Sequence, residues 1–203
     1  MKTVIIKAKD KNAISTAVRV LKKGGIIVYP TETSYGIGAD ATSSKAIRKI
    51  FRIKTRDKGK QISIIVSSLN MAKRYAIVDE FAQKLTQKFM PGPLTLISRK
   101  KNLPDILSKN TIAWRIPSHP FALALVKKFG KPVTATSANK SGKPQMYKIN
   151  DVIKSFPGSV DLIIDAGNLP RRRPSTVFDA SNKKVLRKGP VKERMLEELL
   201  RTV

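Results

Sequence analysis

Short apolar runs and amphipathic stretches take turns along this chain, with no long linker, internal repeat or low-complexity tract between them. Val4 to Ile6 reads as a strand, and residues 11–22 then set Ile14, Ala17, Val18 and Leu21 on one helical stripe. Gly24-Gly25 breaks that helix. Ile26 to Tyr29 has the continuous apolar character of a buried strand, which Pro30 ends. A loop of small polar residues is expected from Thr31 to Gly38, before Ser43 or Ser44 caps a helix carrying Ala46, Ile47, Ile50 and Phe51. Further strands are expected at Ile62 to Val66, Leu94 to Ile97, Ile112 to Ile116, Val133 to Thr136, Leu162 to Ile164, Thr176 to Phe178 and Val185 to Leu186. Two helical segments lie between Ser68 and Phe89, one runs from Phe121 to Phe129, and Pro190 opens the last, with Val191, Met195, Leu199 and Val203 on one side. Such alternation predicts an α/β (α+β) fold with a mixed sheet, in one domain over residues 1–203. Residues 138–150 and 166–175 are loop-like enough to act as hinges or lids.

Composition narrows the function. Lys and Arg number 41 against 14 Asp and Glu, a formal charge of +27. That surplus repels itself in a compact chain unless anions are near, and nucleic acid is the usual anion. Charge alone names no partner, so a merely basic enzyme stays an alternative. No RNP-like aromatic run, zinc spacing or arginine-glycine tract accompanies the charge. The chain has no cysteine, which excludes disulfides and thiolate chemistry. Neither a signal peptide nor a stretch of bilayer length is evident, and a cytoplasmic location is expected.

Familiar nucleotide and metal signatures are missing. There is no GxxxxGK[ST] loop, Gly36 to Ala41 does not complete GxGxxG, and the single His119 cannot form a metal cluster. Four clusters remain. In Tyr29 to Gly38, hydroxyls and glycines follow a strand end, where a small polar ligand could sit, although an ordinary serine-threonine turn would look the same. In Lys54-Thr55-Arg56-Asp57-Lys58-Gly59-Lys60 the cations occupy every second position, so an extended backbone would face them toward one polyphosphate; a solvated basic loop is the alternative. Arg115 interrupts an apolar strand and needs either a ligand carboxylate or an acidic partner. Ser137 and Asn139 fall past another strand end. The fourth cluster, Arg171 to Asp179 and then Arg187, could clamp phosphate or touch RNA, although Arg171 and Arg172 read as a solvated loop. Outside the clusters, His119 reads as structural.

These clusters, in this order, resemble the YrdC family of threonylcarbamoyl-AMP synthases. The resemblance rests on Pro30-Thr31-Glu32-Thr33 with Tyr35-Gly36-Ile37-Gly38, Lys54-x-Arg56, Pro91-Gly92-Pro93-Leu94-Thr95, Arg115-Ile116-Pro117 with His119-Pro120, Thr136-Ser137-Ala138-Asn139 with Ser141-Gly142, and Ser175-Thr176-Val177. It spans roughly residues 10–190. It implies a twisted mixed sheet with a deep basic cavity, and the short, single-domain form of the family. Thr31 and Arg115 would hold L-threonine, with Ala135 and Ser175 assisting. Lys54, Arg56, Lys58, Thr111, Ser137, Asn139 and Arg187 would line the ATP side, with Lys54 and Arg56 catalytic. Magnesium would be held by the ATP phosphates rather than by protein ligands. Bicarbonate is the third substrate, tRNA or double-stranded RNA a partner of the basic surface, and a separate transferase the recipient of the intermediate. Two departures stand in the phosphate loop: Asp57 where proline is usual, and Lys60-Gln61-Ile62 where Lys-Pro-Leu is frequent. A YrdC-like RNA-binding module without catalysis is the alternative function, and carbamoyl transfer to another acceptor a third.

Overall fold

A computed structural model of the chain describes residues 2–55, 61–139, 142 and 144–201. The elements in order are β1 (Val4–Lys7), α1 (Ala13–Lys22), β2 (Ile27–Pro30), β3 (Tyr35–Gly38), α2 (Ser44–Lys54), β4 (Ile64–Ile65), α3 (Leu69–Tyr75), α4 (Glu80–Phe89), β5 (Leu94–Arg99) and β6 (Thr111–Arg115). They continue with α5 (Pro120–Phe129), β7 (Val133–Thr134), β8 (Thr136–Ser137), α6 (Ile149–Ser155), β9 (Leu162–Asp165), β10 (Thr176–Asp179), β11 (Lys184–Arg187) and α7 (Glu193–Leu200).

The strands form two mixed ladders rather than one. The first runs β1-β9-β2-β3-β8 and the second β11-β10-β5-β6-β4-β7. In the first, β1, β9 and β2 are parallel, and β3 and β8 complete it antiparallel. The chain changes ladder within the stretch expected as a single strand at 133–136. Val133–Thr134 pairs with β4, Thr136–Ser137 pairs with β3, and Ala135 is the step between. The two ladders stay stitched there, since Thr134 N–H donates to Ala39 O and Thr134 Oγ1 accepts from Ala39 N–H.

Local chemistry explains most boundaries. Ser43 Oγ accepts the Ala46 N–H at the start of α2, and Ser68 and Asp79 cap α3 and α4 in the same way. Gly130 ends α5 in the left-handed region, at φ 75°, which favours glycine. The expected 31–38 loop is half strand: Tyr35–Gly38 pairs with β2, and a tight turn joins them. Gly38 is required in that hairpin, because a Cβ there would lie 2.8 Å from the Tyr29 ring and 3.0 Å from Ile27 and Val133 side chains. Helix α6 lies within and beyond the stretch expected to be loop. One continuous apolar cluster fills the interior, and Trp114 at its centre donates its indole N–H to Ser98 Oγ at 3.1 Å.

Candidate active site

Period-two alternation on the second ladder decides what faces the site. On β6, Ile112 and Trp114 enter the core, whereas Ala113 and Arg115 line a cavity of about 310 Å³. On β5, Leu94 and Leu96 are core, whereas Thr95 and Ile97 line the cavity. Ser175 and Val177 do the same around β10. The opposite wall comes from the first ladder: Thr31, Thr33, Ser34, Tyr35 and Gly36 around the β2–β3 turn, and Thr136 and Ser137 on β8. The cavity thus lies where the two ladders meet, and Ala135, the step between them, lines it too.

The turn at 31–34 is built from its own hydroxyls. Thr31 Oγ1 donates to Ser34 O at 2.6 Å, accepts the Ser34 N–H at 3.2 Å, and lies 3.1 Å from Thr33 Oγ1. It is a serine-threonine turn and a cavity wall at once. Tyr35 fastens the far side, donating its hydroxyl to Gly167 O and accepting the Ala166 N–H. Burial holds that phenol up at about 12.

The cavity's charged lining among the described residues is Arg115 and Arg187. Arg187 Nε donates to Ser175 O at 3.0 Å and Nη2 to Ser175 Oγ at 3.1 Å, and Ser175 Oγ lies 2.8 Å from Thr95 Oγ1. Gly189 permits that arrangement. A Cβ there would fall 2.4 Å from Thr176 N and 2.5 Å from Pro174 O. Burial, and then the charge of Arg115, lower the Arg187 pKa. Arg115 Nη1 lies 3.3 Å from Glu32 Oε1, and both side chains are buried. Among the described residues, neither Glu32 oxygen nor Arg115 Nε has a hydrogen-bond partner.

The other expected site residues divide. Thr31, Ala135, Ser137, Ser175, Arg115 and Arg187 share the one cavity. Both backbone groups of Ala135 are paired with Ser63: the N–H donates to Ser63 O, and the C=O accepts from Ser63 Oγ. Lys54 is 1% exposed and does not line the cavity; its Nζ donates to Ser137 O (2.5 Å), Asn139 O (2.7 Å) and Asn139 Oδ1 (3.0 Å). Asn139 Oδ1 also accepts from Ser137 Oγ at 2.6 Å. Lys54 and Asn139 therefore brace Ser137 from behind. Thr111 accepts from Gln61 Nε2 and lies in an adjoining groove over residues 105–111 that shares Gln61 with the cavity. Arg56 and Lys58 lie outside the described residues. Thr95, Gln61, Ser63 and Gln145 line the cavity without having been singled out from the sequence. Thr95 was the most legible of these, as the polar residue between Leu94 and Leu96 at the apolar start of its strand.

His119 begins α5, its Nδ1 accepting the Phe121 N–H at 3.2 Å, which is the structural part expected for it. Burial lowers its pKa, against an opposing pull from Glu32. Among the described residues, no three His, Cys, Asp or Glu gather as a metal site, and no helix is long and apolar enough to cross a membrane.

Comparison with known proteins places the chain. Residues 19–189 match the Sua5/yciO/yrdC family, whose description reads "Telomere recombination". The chain belongs to that family. It is 38% identical over 179 residues to a Methanocaldococcus jannaschii protein, covering 87% of this chain and 84% of that one. It is 33% identical over 185 residues to the threonylcarbamoyl-AMP synthase of Psychromonas ingrahamii, covering 87% of this chain and 97% of the relative. The crystal structure of Pyrococcus abyssi Sua5 complexed with L-threonine superposes with a TM-score of 0.91 at 31% identity, covering 98% of this chain. The present chain spans 61% of that longer one. The α/β architecture expected from the alternating pattern is thus that of the family.

Proposed function

We propose that this protein is a threonylcarbamoyl-AMP synthase, joining L-threonine, bicarbonate or CO₂ and ATP into threonylcarbamoyl-adenylate and pyrophosphate. The observation that carries the reading is the cavity between the two ladders. Two arginines face it, and a single carboxylate, that of Glu32, lies within ion-pair reach of either among the described residues. A cavity so charged suits anionic ligands, and its hydroxyl-rich opposite wall suits a small polar amino acid.

In this reading the guanidinium of Arg115 receives the threonine carboxylate, its planar fork matching that group. Thr31 shapes the wall against the threonine side chain, Ala135 closes the pocket beneath it, and Ser175 adds a hydroxyl held in place by Arg187 and Thr95. The threonine amine, unprotonated, adds to CO₂ with loss of one N–H proton, or to bicarbonate with loss of water, to give a carbamate. A carbamate oxygen then attacks the α-phosphorus of ATP, and the bond to pyrophosphate breaks. Negative charge gathers at that centre, so cations fixed in advance supply the main stabilisation. Arg187 faces the phosphate side, and Ser137, braced by Lys54 and Asn139, bounds it. The family resemblance assigns Arg56 and Lys58, outside the described residues, to the same phosphates, and Thr111 would meet the nucleotide from the adjoining groove. No carboxylate lines the cavity among the described residues, so magnesium would reach it on the ATP phosphates. Catalysis rests on positioning and electrostatics, with no covalent nucleophile required.

A groove lined by Tyr147 and Arg171–Arg173 meets the cavity mouth at Gln145 and Pro174. It offers tRNA phosphates a place beside the product, in a cytoplasmic protein that hands its intermediate to a separate transferase for modification of tRNA adenosine 37. Pyrophosphate release from MgATP and bicarbonate, with and without L-threonine, tests the proposal. Threonine-dependent release, absent with serine or valine, is expected. No release under any of these conditions would overturn it and favour the RNA-binding module.

A further inference from the structure

Glu32 stands apart within its own turn. Thr31, Thr33 and Ser34 line the cavity, but Glu32 does not; its side chain, 6% exposed, meets Arg115 beyond the lining. The contact is loose. At 3.3 Å from Nη1, Oε1 is within ion-pair range, yet neither carboxylate oxygen accepts a hydrogen bond and Arg115 Nε donates none.

A buried pair of this geometry is a poor device for stability, because removing two ions from water costs more than a misaligned contact returns. Its neighbours do not relieve it. The Tyr29 hydroxyl, whose charge environment includes both Glu32 and Arg115, is committed to Thr134 O at 3.0 Å. The His119 ring feels the Glu32 charge, but its Nδ1 is committed to the Phe121 N–H. Arg187, on the same ladder and lining the same cavity, repels Arg115. The carboxylate of Glu32 is therefore the charge within ion-pair reach that holds the Arg115 guanidinium at its wall. A tight bidentate pair would have consumed the edge of the guanidinium that a ligand must use. The loose one leaves that edge available.

We infer that Glu32 is a positioning residue: its charge keeps Arg115 at the cavity wall against Arg187, while its misaligned contact leaves the guanidinium free to take the substrate carboxylate. The inference rests on Arg115 receiving the carboxylate of threonine, as proposed above.

Glu32→Gln removes the charge and keeps the shape. Steady-state pyrophosphate release is expected to show the threonine KM raised about tenfold and the ATP KM changed by less than about twofold, and calorimetric threonine binding should weaken in parallel. Glu32→Asp, which keeps the charge but withdraws it by a methylene, should fall between wild type and Glu32→Gln. A threonine KM for Glu32→Gln within about twofold of wild type overturns the inference. So does an equal loss for both substrates with a lowered Tm, the mark of a merely structural role. If Glu32→Gln does not fold, Glu32→Asp decides: a threonine KM raised more than about twofold with the ATP KM unmoved supports the inference, and anything smaller overturns it. Should Arg115→Gln itself leave the threonine KM unchanged, the Arg115 assignment fails rather than the part given to Glu32.

Discussion

Lys54 and Arg115 are both buried cations near one cavity, and the fold treats them in opposite ways. Lys54 ends α2 with its ammonium donating to three oxygens of residues 137–139. Arg115 ends β6 with one loose contact, to Glu32, and an unpartnered Nε. A cation satisfied by carbonyls is part of the scaffold, because its desolvation cost is already offset by charge-assisted hydrogen bonds. A cation left short of partners is ready for a ligand. The difference teaches that charge and burial together do not identify a ligand-binding residue; the state of its hydrogen bonds does.

The sharpest way to break the comparison is Lys54→Met. If Lys54 is scaffold, three oxygens around Ser137 and Asn139 lose their charge-assisted donor, and the protein should lose on the order of 3 kcal/mol of stability, with Tm falling by roughly 10 °C. Thermal unfolding reads this directly. Both substrates should then bind less well, because Ser137 loses its brace. An unchanged Tm with a raised ATP KM alone would return Lys54 to the phosphates as a direct ligand.

Arg115→Gln is expected next in size. Losing a charge-assisted contact to the threonine carboxylate should lower kcat/KM for threonine about 100-fold, equivalent to about 2.7 kcal/mol. Glu32 would be left buried without its counter-charge, so some loss of stability is expected as well. The threonine KM set against the ATP KM is therefore the deciding measurement. If the two rise together, Arg115 serves the whole cavity rather than one substrate.

The same contrast marks what the sequence could tell. The alternation of strand and helix, a cap at Ser43 or Ser44, and Arg115 as a charge within an apolar strand were legible, because each is a local pattern. The division into two ladders was not. It depends on a change of partner at Ala135, and Val133 to Thr136 reads as one strand whichever sheet it joins. Strand β3 was obscured by its glycines, which propensity assigns to loops although Gly38 is there to admit Tyr29, Ile27 and Val133. Alternate cations after Lys54 suggested a shared face, but Lys54 itself is the last helical residue, and its side chain runs inward beneath Ser137. Glu32 was visible only as a letter in a matching stretch. Its importance lies in hydrogen bonds it does not make, which no sequence records. A composition of +27 was equally silent about the cavity, where the charge that counts is a pair of arginines.

His119, half-buried, adds a third group to the comparison and the smallest expected effect. Its imidazole is held below its ordinary pKa by burial, and Glu32 opposes that shift. A histidine with a depressed folded pKa contributes stability that is present above about pH 6.5 and is lost as pH falls through the folded value, since the unfolded chain takes up the proton first. Protonation at Nδ1 would also end its acceptance of the Phe121 N–H, a cap worth about 1 kcal/mol. His119→Asn keeps a capping acceptor and has no proton to gain. Thermal unfolding from pH 7.5 down to pH 5 should therefore show the wild type losing up to about 1 kcal/mol more than His119→Asn, all of it below about pH 6.5. Curves that run parallel would mean that His119 caps α5 without titrating in this range. In Glu32→Gln the loss should still begin near pH 6.5, where the unfolded chain takes up its proton, but should run to a lower pH and be larger, because the charge that favours protonation of the folded ring is gone.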